Sequence, residues 1–271
     1  MPRDITLGQY FPGQTVVHRL DPRVKLVLMI VYISALFVAK GLAGYIIMIA
    51  VLTSCLALSR LKLRTALRGL RGIVIIIALT AILNIFLTGE TVLLKFWVFT
   101  ITKEGLIAGA AMAGRLIMLI VGSFLLTYTT SPIALTDGLE KLLGPLKKIR
   151  APIHELALMM SIALRFIPTL MEETNKIISA QKARGADFET GGLLKRAKAI
   201  IPIVIPLFIS AFRRADELAV AMESRCYHGG EGRTRMKPLK TAGRDYAALA
   251  CGACVLAAVI VLEALKVWPL I

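Results

Sequence analysis

The sequence predicts an all-α polytopic membrane protein: about five transmembrane helices, plus a block of long helices lying on the cytoplasmic side or at the membrane interface. Three observations predict it. Hydrophobic residues make up 57% of 271 positions and mean hydropathy is +0.74, whereas a soluble domain is roughly 45–50% apolar. Five stretches approach or reach the roughly 17–25 predominantly apolar residues that cross a bilayer. Five crossings also put 28 of the 33 lysines and arginines on one side, the distribution that orients membrane chains with their basic loops in the cytoplasm.

Residues 1–129 hold an N-terminal arm and four spans. The arm carries Asp4, Asp21 and several prolines but no long apolar core, so it is not a cleavable signal. The spans are Val24–Ala39, Gly44–Ser59, Ile73–Thr88 and Gly105–Thr127. A basic loop with Arg60, Lys62, Arg64, Arg68 and Arg71 joins the second to the third, and an outer segment, Gly89–Glu104, joins the third to the fourth. Arg115 lies within the fourth span. A charge near the bilayer centre costs roughly 2.5–3.5 kcal/mol on insertion scales, so it needs a partner. Backbone carbonyls or Asn84 on a neighbouring span are the expected ones; a role in substrate passage is the alternative.

Residues 130–243 are apolar in patches and rich in charge. Ser131-Pro132 opens a short amphipathic helix, with Ser131 as cap and Pro132 at the first position; Gly144-Pro145 stops it. A long helical pattern runs from Pro152 to Arg184, apolar in its first half and polar in its second, and Gly185, Gly191 and Gly192 end it. Another runs from Leu193 to Tyr227, apolar over Ile200–Phe212 and charged over Arg213–Arg225, with Gly229-Gly230 as its stop. Arg165, Pro202 and Pro206 limit the uninterrupted apolar runs to about 10–14 residues, the length of an interfacial or buried helix. Both helices are therefore expected against the inner face of the membrane, with partial insertion as the alternative. Residues 244–271 supply the last span, Tyr246–Leu265, and the N-terminus is cytoplasmic.

The net charge of +16 would suggest nucleic acid in a soluble protein; here basic inner loops account for it, and no nucleic-acid partner is expected. Cys251 and Cys254 sit inside an apolar span and read as packing residues, while His18, His154 and His228 are too scattered to hold a metal. The chain has no phosphate-cradling glycine loop with Lys and Ser/Thr and no catalytic set. It is expected to bind no ATP, metal or cofactor itself and not to be an enzyme.

Two short motifs stand out. Ala183-Arg184-Gly185 and Ser224-Arg225-Cys226 each close a long helix, with their arginines 41 positions apart. Under the same offset Ala180 falls on Ala221 and Ile177 on Leu218. Small flanking residues allow close approach, and arginine offers a planar fork of donors to carboxylates or carbonyls. Ordinary basic residues favouring the negative end of a helix dipole would look similar taken singly.

With these motifs the chain resembles, over nearly its whole length, the transmembrane T component of energy-coupling-factor transporters, a group of ABC importers for vitamins and metal ions. The arm Ile5-Thr6-Leu7-Gly8-Gln9-Tyr10, the run His18-Arg19-Leu20-Asp21-Pro22-Arg23, and Leu135-Thr136-Asp137-Gly138-Leu139-Glu140 carry the resemblance, as do Leu164-Arg165-Phe166-Ile167-Pro168 and the paired arginine motifs. Ser224 and Cys226 depart from the family's usual alanine and glycine. The resemblance implies long coupling helices that cross beneath the membrane of a prokaryotic cell. Ala183, Arg184 and Gly185, and Ser224, Arg225 and Cys226, would dock into two ABC-type ATPase subunits, which bind the ATP and magnesium. It also implies a small substrate-capture membrane protein, the S component; Ile162, Phe166, Ile205 and Phe208 are the residues expected to grip it. A self-sufficient secondary transporter with a site around Arg115 is the competing reading.

Overall fold

The computed structural model describes residues 10–61, 65, 69–87, 92–96, 99–145, 152–186, 188, 192–229 and 239–265. Ile5 to Gln9 of the arm, Lys62, Arg64 and Arg68 of the basic loop, and Gly89, Gly191 and Gly230 lie outside them. The described elements are α1 (Pro22–Val38), α2 (Leu42–Ser59), α3 (Val74–Leu87), β1 (Val92–Phe96), β2 (Phe99–Thr102), α4 (Lys103–Thr129), α5 (Pro132–Leu142), α6 (Ile153–Ala183), α7 (Leu193–Glu223) and α8 (Gly243–Ala264). They form two compact units. One comprises Gly8–Lys141 and Pro238–Ile271; the other includes Leu142–Lys237.

Local chemistry sets the helix starts. Asp21 caps α1 by accepting from the Arg23 N–H at 2.9 Å, with Pro22 at the first position, where its missing N–H costs nothing. Thr102 Oγ1 accepts from Gly105 N–H at 3.0 Å to cap α4. Ser131 Oγ accepts from Ala134 N–H at 3.3 Å ahead of Pro132, the start read from the sequence for α5. The exception to helix is the outer segment, where β1 and β2 pair antiparallel as a hairpin, with an irregularity between Val92 and Leu94. Valine, threonine and aromatic residues dominate that stretch; such side chains favour strands, and pairing satisfies backbone groups that a bare loop would leave to solvent.

In the first unit the core gathers Ala35 and Leu36 of α1, Met48 of α2, Met118 and Val121 of α4 and Val259 of α8. Ile30, Phe37, Ile75 and Ile76 point outward and are more than half exposed. An apolar outside around an apolar core is what a lipid-facing bundle requires. Helices α3 and α4 come so close at Gly109 that a Cβ there would stand 2.9 Å from the Ala81 carbonyl.

Helix α8 pins α1 at both ends with carboxylates. At the start, buried Asp245 accepts from Asp21 N–H at 2.9 Å and from Ala242 N–H at 2.7 Å. At the other end, Glu263 Oε2 accepts from Lys40 N–H and Gly41 N–H, both at 3.1 Å, at the start of α2. The two helices therefore run parallel. Lys25 Nζ, buried near the start of α1, donates to the Thr129 carbonyl at 2.8 Å, so α4 ends at that same face. Asp21 also pairs with Arg23 at 2.8 Å. Burial alone would raise the Asp21 carboxyl, but the hydrogen bonds and charge of Arg23 outweigh it and hold the group below its ordinary value.

These contacts fix a parity. The chain leaves this unit after α5, whose Gly138 packs against Pro22 at the start of α1, and re-enters it at α8 on the same face, so an even number of crossings lies between. Among the described residues four helices are long and apolar enough to cross a membrane: α2, α4, α6 and α8. Helix α3 is a shorter apolar helix, and α1, at 17 residues, spans only about 26 Å. By length and composition α6 thus rivals a span, beyond the apolar length read from its sequence. It can cross only if α7 crosses with it, and α7 carries Pro202 and Pro206 inside the helix and Arg213, Arg214, Asp216 and Glu217 along it.

Candidate functional site

The candidate site is the pair of long helices and their C-terminal ends. Each helix has 31 residues and is about 46 Å long. They pack antiparallel: Arg214 Nη2 meets Glu173 Oε2 at 3.3 Å, and Gln181 Nε2 approaches the Pro202 carbonyl at 3.5 Å. The second contact has a covalent origin. Pro206 has no N–H, so the Pro202 carbonyl lacks its helical donor, and a side chain from α6 reaches it. The ion pair is partly exposed, and such pairs contribute at most about 1 kcal/mol.

The two arginine motifs have the same backbone. At the end of α6, Gly185 N–H donates to Lys182 O at 3.0 Å and Ala186 N–H to Gln181 O at 3.0 Å. At the end of α7, Cys226 N–H donates to Glu223 O at 2.8 Å and Tyr227 N–H to Met222 O at 3.1 Å. Both are Schellman turns, and donor and acceptor positions correspond under the 41-residue offset. Gly185 has φ +85° and Cys226 φ +56°. The departure from glycine therefore leaves the geometry after Arg225 unchanged, although a left-handed cysteine costs about 1–2 kcal/mol that glycine avoids. Ala183, Arg184 and Gly185, and Ser224, Arg225 and Cys226, are all exposed. Because the helices are antiparallel, the two motifs stand at opposite ends of the pair.

The apolar residues separate into two settings. On α7, Ile205 and Phe208 are 55% and 59% exposed, and Phe212 stacks beside Phe208 at 6.4 Å between ring centroids. On α6, Ile162 and Phe166 are half-buried. Ile162 lines a cavity of about 590 Å³ together with Arg165, Met222 and Arg225. Sequence reading grouped Ile162 with Phe208; the fold sets Ile162 beside an arginine motif.

Arg115 is engaged away from this region. Its Nη2 donates to the Ala39 carbonyl at 2.8 Å, and its guanidinium lies 5.7 Å from the centre of the Tyr45 ring. A backbone carbonyl is thus its partner, as one of the two expectations had it. Asn84 turns its amide to the Thr80 carbonyl of its own helix at 2.8 Å. Sequence reasoning missed Asp245 and Glu263; two acidic residues bracketing an apolar span were the available signal. Cys251 and Cys254 are exposed and free.

Comparisons with known proteins agree with one another. The family described as "Cobalt transport protein" (CbiQ) matches residues 13–236. The chain is 53% identical over 270 residues to a protein of Clostridium kluyveri, covering 99% of both. It is 55% identical over 246 residues to one of Thermosediminibacter oceani, covering 91% of this chain and 93% of that one. Against one of Bacillus subtilis it is 46% identical over 246 residues, covering 90% and 93%. All three are named energy-coupling factor transporter transmembrane protein EcfT.

Proposed function

Since the chain belongs to the family of energy-coupling factor transporter transmembrane proteins, the T components, we propose that it is the non-catalytic scaffold of an ATP-driven importer for a vitamin or metal ion. Two cytosolic ABC-type ATPases bind the ATP and magnesium, and each takes one arginine motif. The long helices carry the resulting motion to a small membrane protein that captures the substrate, and the exposed band around Ile205 and Phe208 grips that protein. Both long helices stay on the cytoplasmic face, where the N-terminus also lies, in the plasma membrane of a prokaryote.

The observation that carries this reading is the matched pair of Schellman turns, which present Arg184 and Arg225 on the same backbone at the two ends of one antiparallel helix pair. Two like plugs at opposite ends suit two like sockets. The competing reading, a self-sufficient secondary transporter, needs Arg115 free to meet substrate, and its hydrogen bond to Ala39 speaks against that.

Co-purification in mild detergent tests the proposal. The chain should bring two ATPases and one small hydrophobic protein with it; arriving alone and transporting without ATP would refute the scaffold reading. A hydrogen bond to a charged group contributes roughly 1.5–3 kcal/mol. Arg184→Ala or Arg225→Ala should therefore weaken ATPase retention about tenfold to a hundredfold, and the double substitution should abolish ATP-dependent uptake. Lysine should restore little, since it lacks the planar fork.

A further inference from the structure

The two arginine motifs are alike in backbone but not in what lies beside them. The cavity at the second motif has two walls built on one pattern. Helix α6 contributes Leu158, Ile162 and Arg165, and α7 contributes Leu218, Met222 and Arg225. Both sets follow the i, i+4, i+7 spacing of a single helix face, and both end in arginine. The turn Cys226–Gly229 closes it and brings His228. Of the ten lining residues three are basic and none is acidic.

The 41-residue repeat does not carry this chemistry to the first motif. Shifting each wall by the offset puts Gln181 in the place of Met222, Ala199 in that of Leu158, Pro206 in that of Arg165 and Asp187 in that of His228. An apolar, doubly cationic cavity thus becomes a set with a polar amide, a proline and an acid. Gln181 is moreover turned toward the Pro202 carbonyl.

We propose that this cavity receives a large apolar side chain of the ATPase subunit that engages Arg225, with a carboxylate of the same segment held between Arg165 and Arg225. The inference rests on the scaffold reading above and goes beyond it. Docking at the second motif is reciprocal: the arginine enters the ATPase and a side chain of the ATPase enters the scaffold. Docking at the first motif relies on the arginine alone. The two ATPase positions are therefore not interchangeable, and Ile162 serves the ATPase rather than the capture protein. Charge complementarity selects the occupant, since a carboxylate beside two guanidiniums gains charge-assisted hydrogen bonds while its apolar neighbour leaves water.

Cysteine footprinting tests this. Ile162→Cys, Leu218→Cys on the opposite wall, and Phe208→Cys on the outer band are each placed in a chain whose native cysteines are replaced. Each variant is treated with a maleimide as the chain alone in detergent, as the chain alone in nanodiscs containing phosphatidylglycerol, and in complex with its co-expressed ATPases. The cysteines at 162 and 218 should react in the first two states and lose labelling in the third, while the cysteine at 208 stays reactive with ATPases bound. Loss of labelling in nanodiscs without ATPases would assign the cavity to lipid and overturn the proposal. Continued labelling at 162 and 218 in a complex that retains its ATPases would also overturn it, leaving the arginine docking intact. Failure of the ATPases to co-purify would overturn both.

Discussion

Gly185 and Cys226 hold the same left-handed conformation, one with glycine's freedom and the other with a Cβ in the way. Cys226→Gly should relieve about 1 kcal/mol of backbone strain, and Gly185→Ala should impose a similar penalty. Both effects are readable at single amides. Exchange of the Tyr227 N–H, bonded to Met222 O at 3.1 Å, should slow about fivefold in Cys226→Gly, since local opening sets its protection. An unchanged exchange rate would mean the turn does not govern the end of α7. Asp21 offers a pH test of the same kind. Its folded pKa lies below the ordinary 3.8 because Arg23 outweighs burial. Its contribution to stability is therefore complete above that ordinary value and is lost as pH falls through the folded one. Thermal melts of the detergent-solubilised protein should drop below about pH 4, and Asp21→Asn should flatten that drop.

At the level of elements, α8 holds α1 and α2 through two carboxylates of unequal weight. Asp245 is only 2% exposed. Replacing it with alanine strands the Asp21 N–H in a buried site, which costs about 1–3 kcal/mol. Glu263 holds the two amides just ahead of α2 in a more exposed site, so Glu263→Ala should cost less, about 0.5–1.5 kcal/mol. Melting temperatures of the two variants should rank in that order, and a larger loss at Glu263 would contradict the burial argument. The helices themselves were legible in the sequence, because apolar length, Ser131-Pro132 and the glycine stops are local signals. The pins were not, since nothing local links Asp245 to Asp21. Nor was the hairpin of β1 and β2, whose short alternating run sits in a segment otherwise readable as loop. Of the site, Arg184 and Arg225 were legible as helix ends because their 41-residue repeat lies in the sequence. The cavity beside Arg225 was not, because Ile162 and Met222 meet only when α6 and α7 fold back on each other.

For the whole molecule, parity is the organising fact. The segment between α5 and α8 departs from and returns to one face of the bundle, so α6 and α7 either both cross or both stay on that face; with both staying there, as proposed, the turn after α1 and the polar half of α6 lie on opposite sides of the membrane. With Cys55, Cys226, Cys251 and Cys254 replaced, Lys40→Cys should react with an impermeant thiol reagent only from outside intact cells. Ser179→Cys should react only after the membrane is opened. Labelling of position 179 from outside would mean that the long helices cross, and the docking model would fall with that result. Helix α6 has the length and composition of a span, and its antiparallel partner α7 ties any crossing by α6 to a second one.

The contact between Asp21 and Asp245 joins residues 224 positions apart, and that separation has a consequence for biogenesis. At a synthesis rate of about 5–20 residues per second, α1 waits roughly 10–45 s for the helix that completes its ends. During that interval the amides after Val38 and the Asp21 N–H have no carboxylate to meet, while α2 to α7 are already being made. Until residues 243–264 are made, the newborn bundle leaves bare the faces of α1 and α2 that α8 covers, and a chain arrested before residue 243 keeps those faces and amides without their partner.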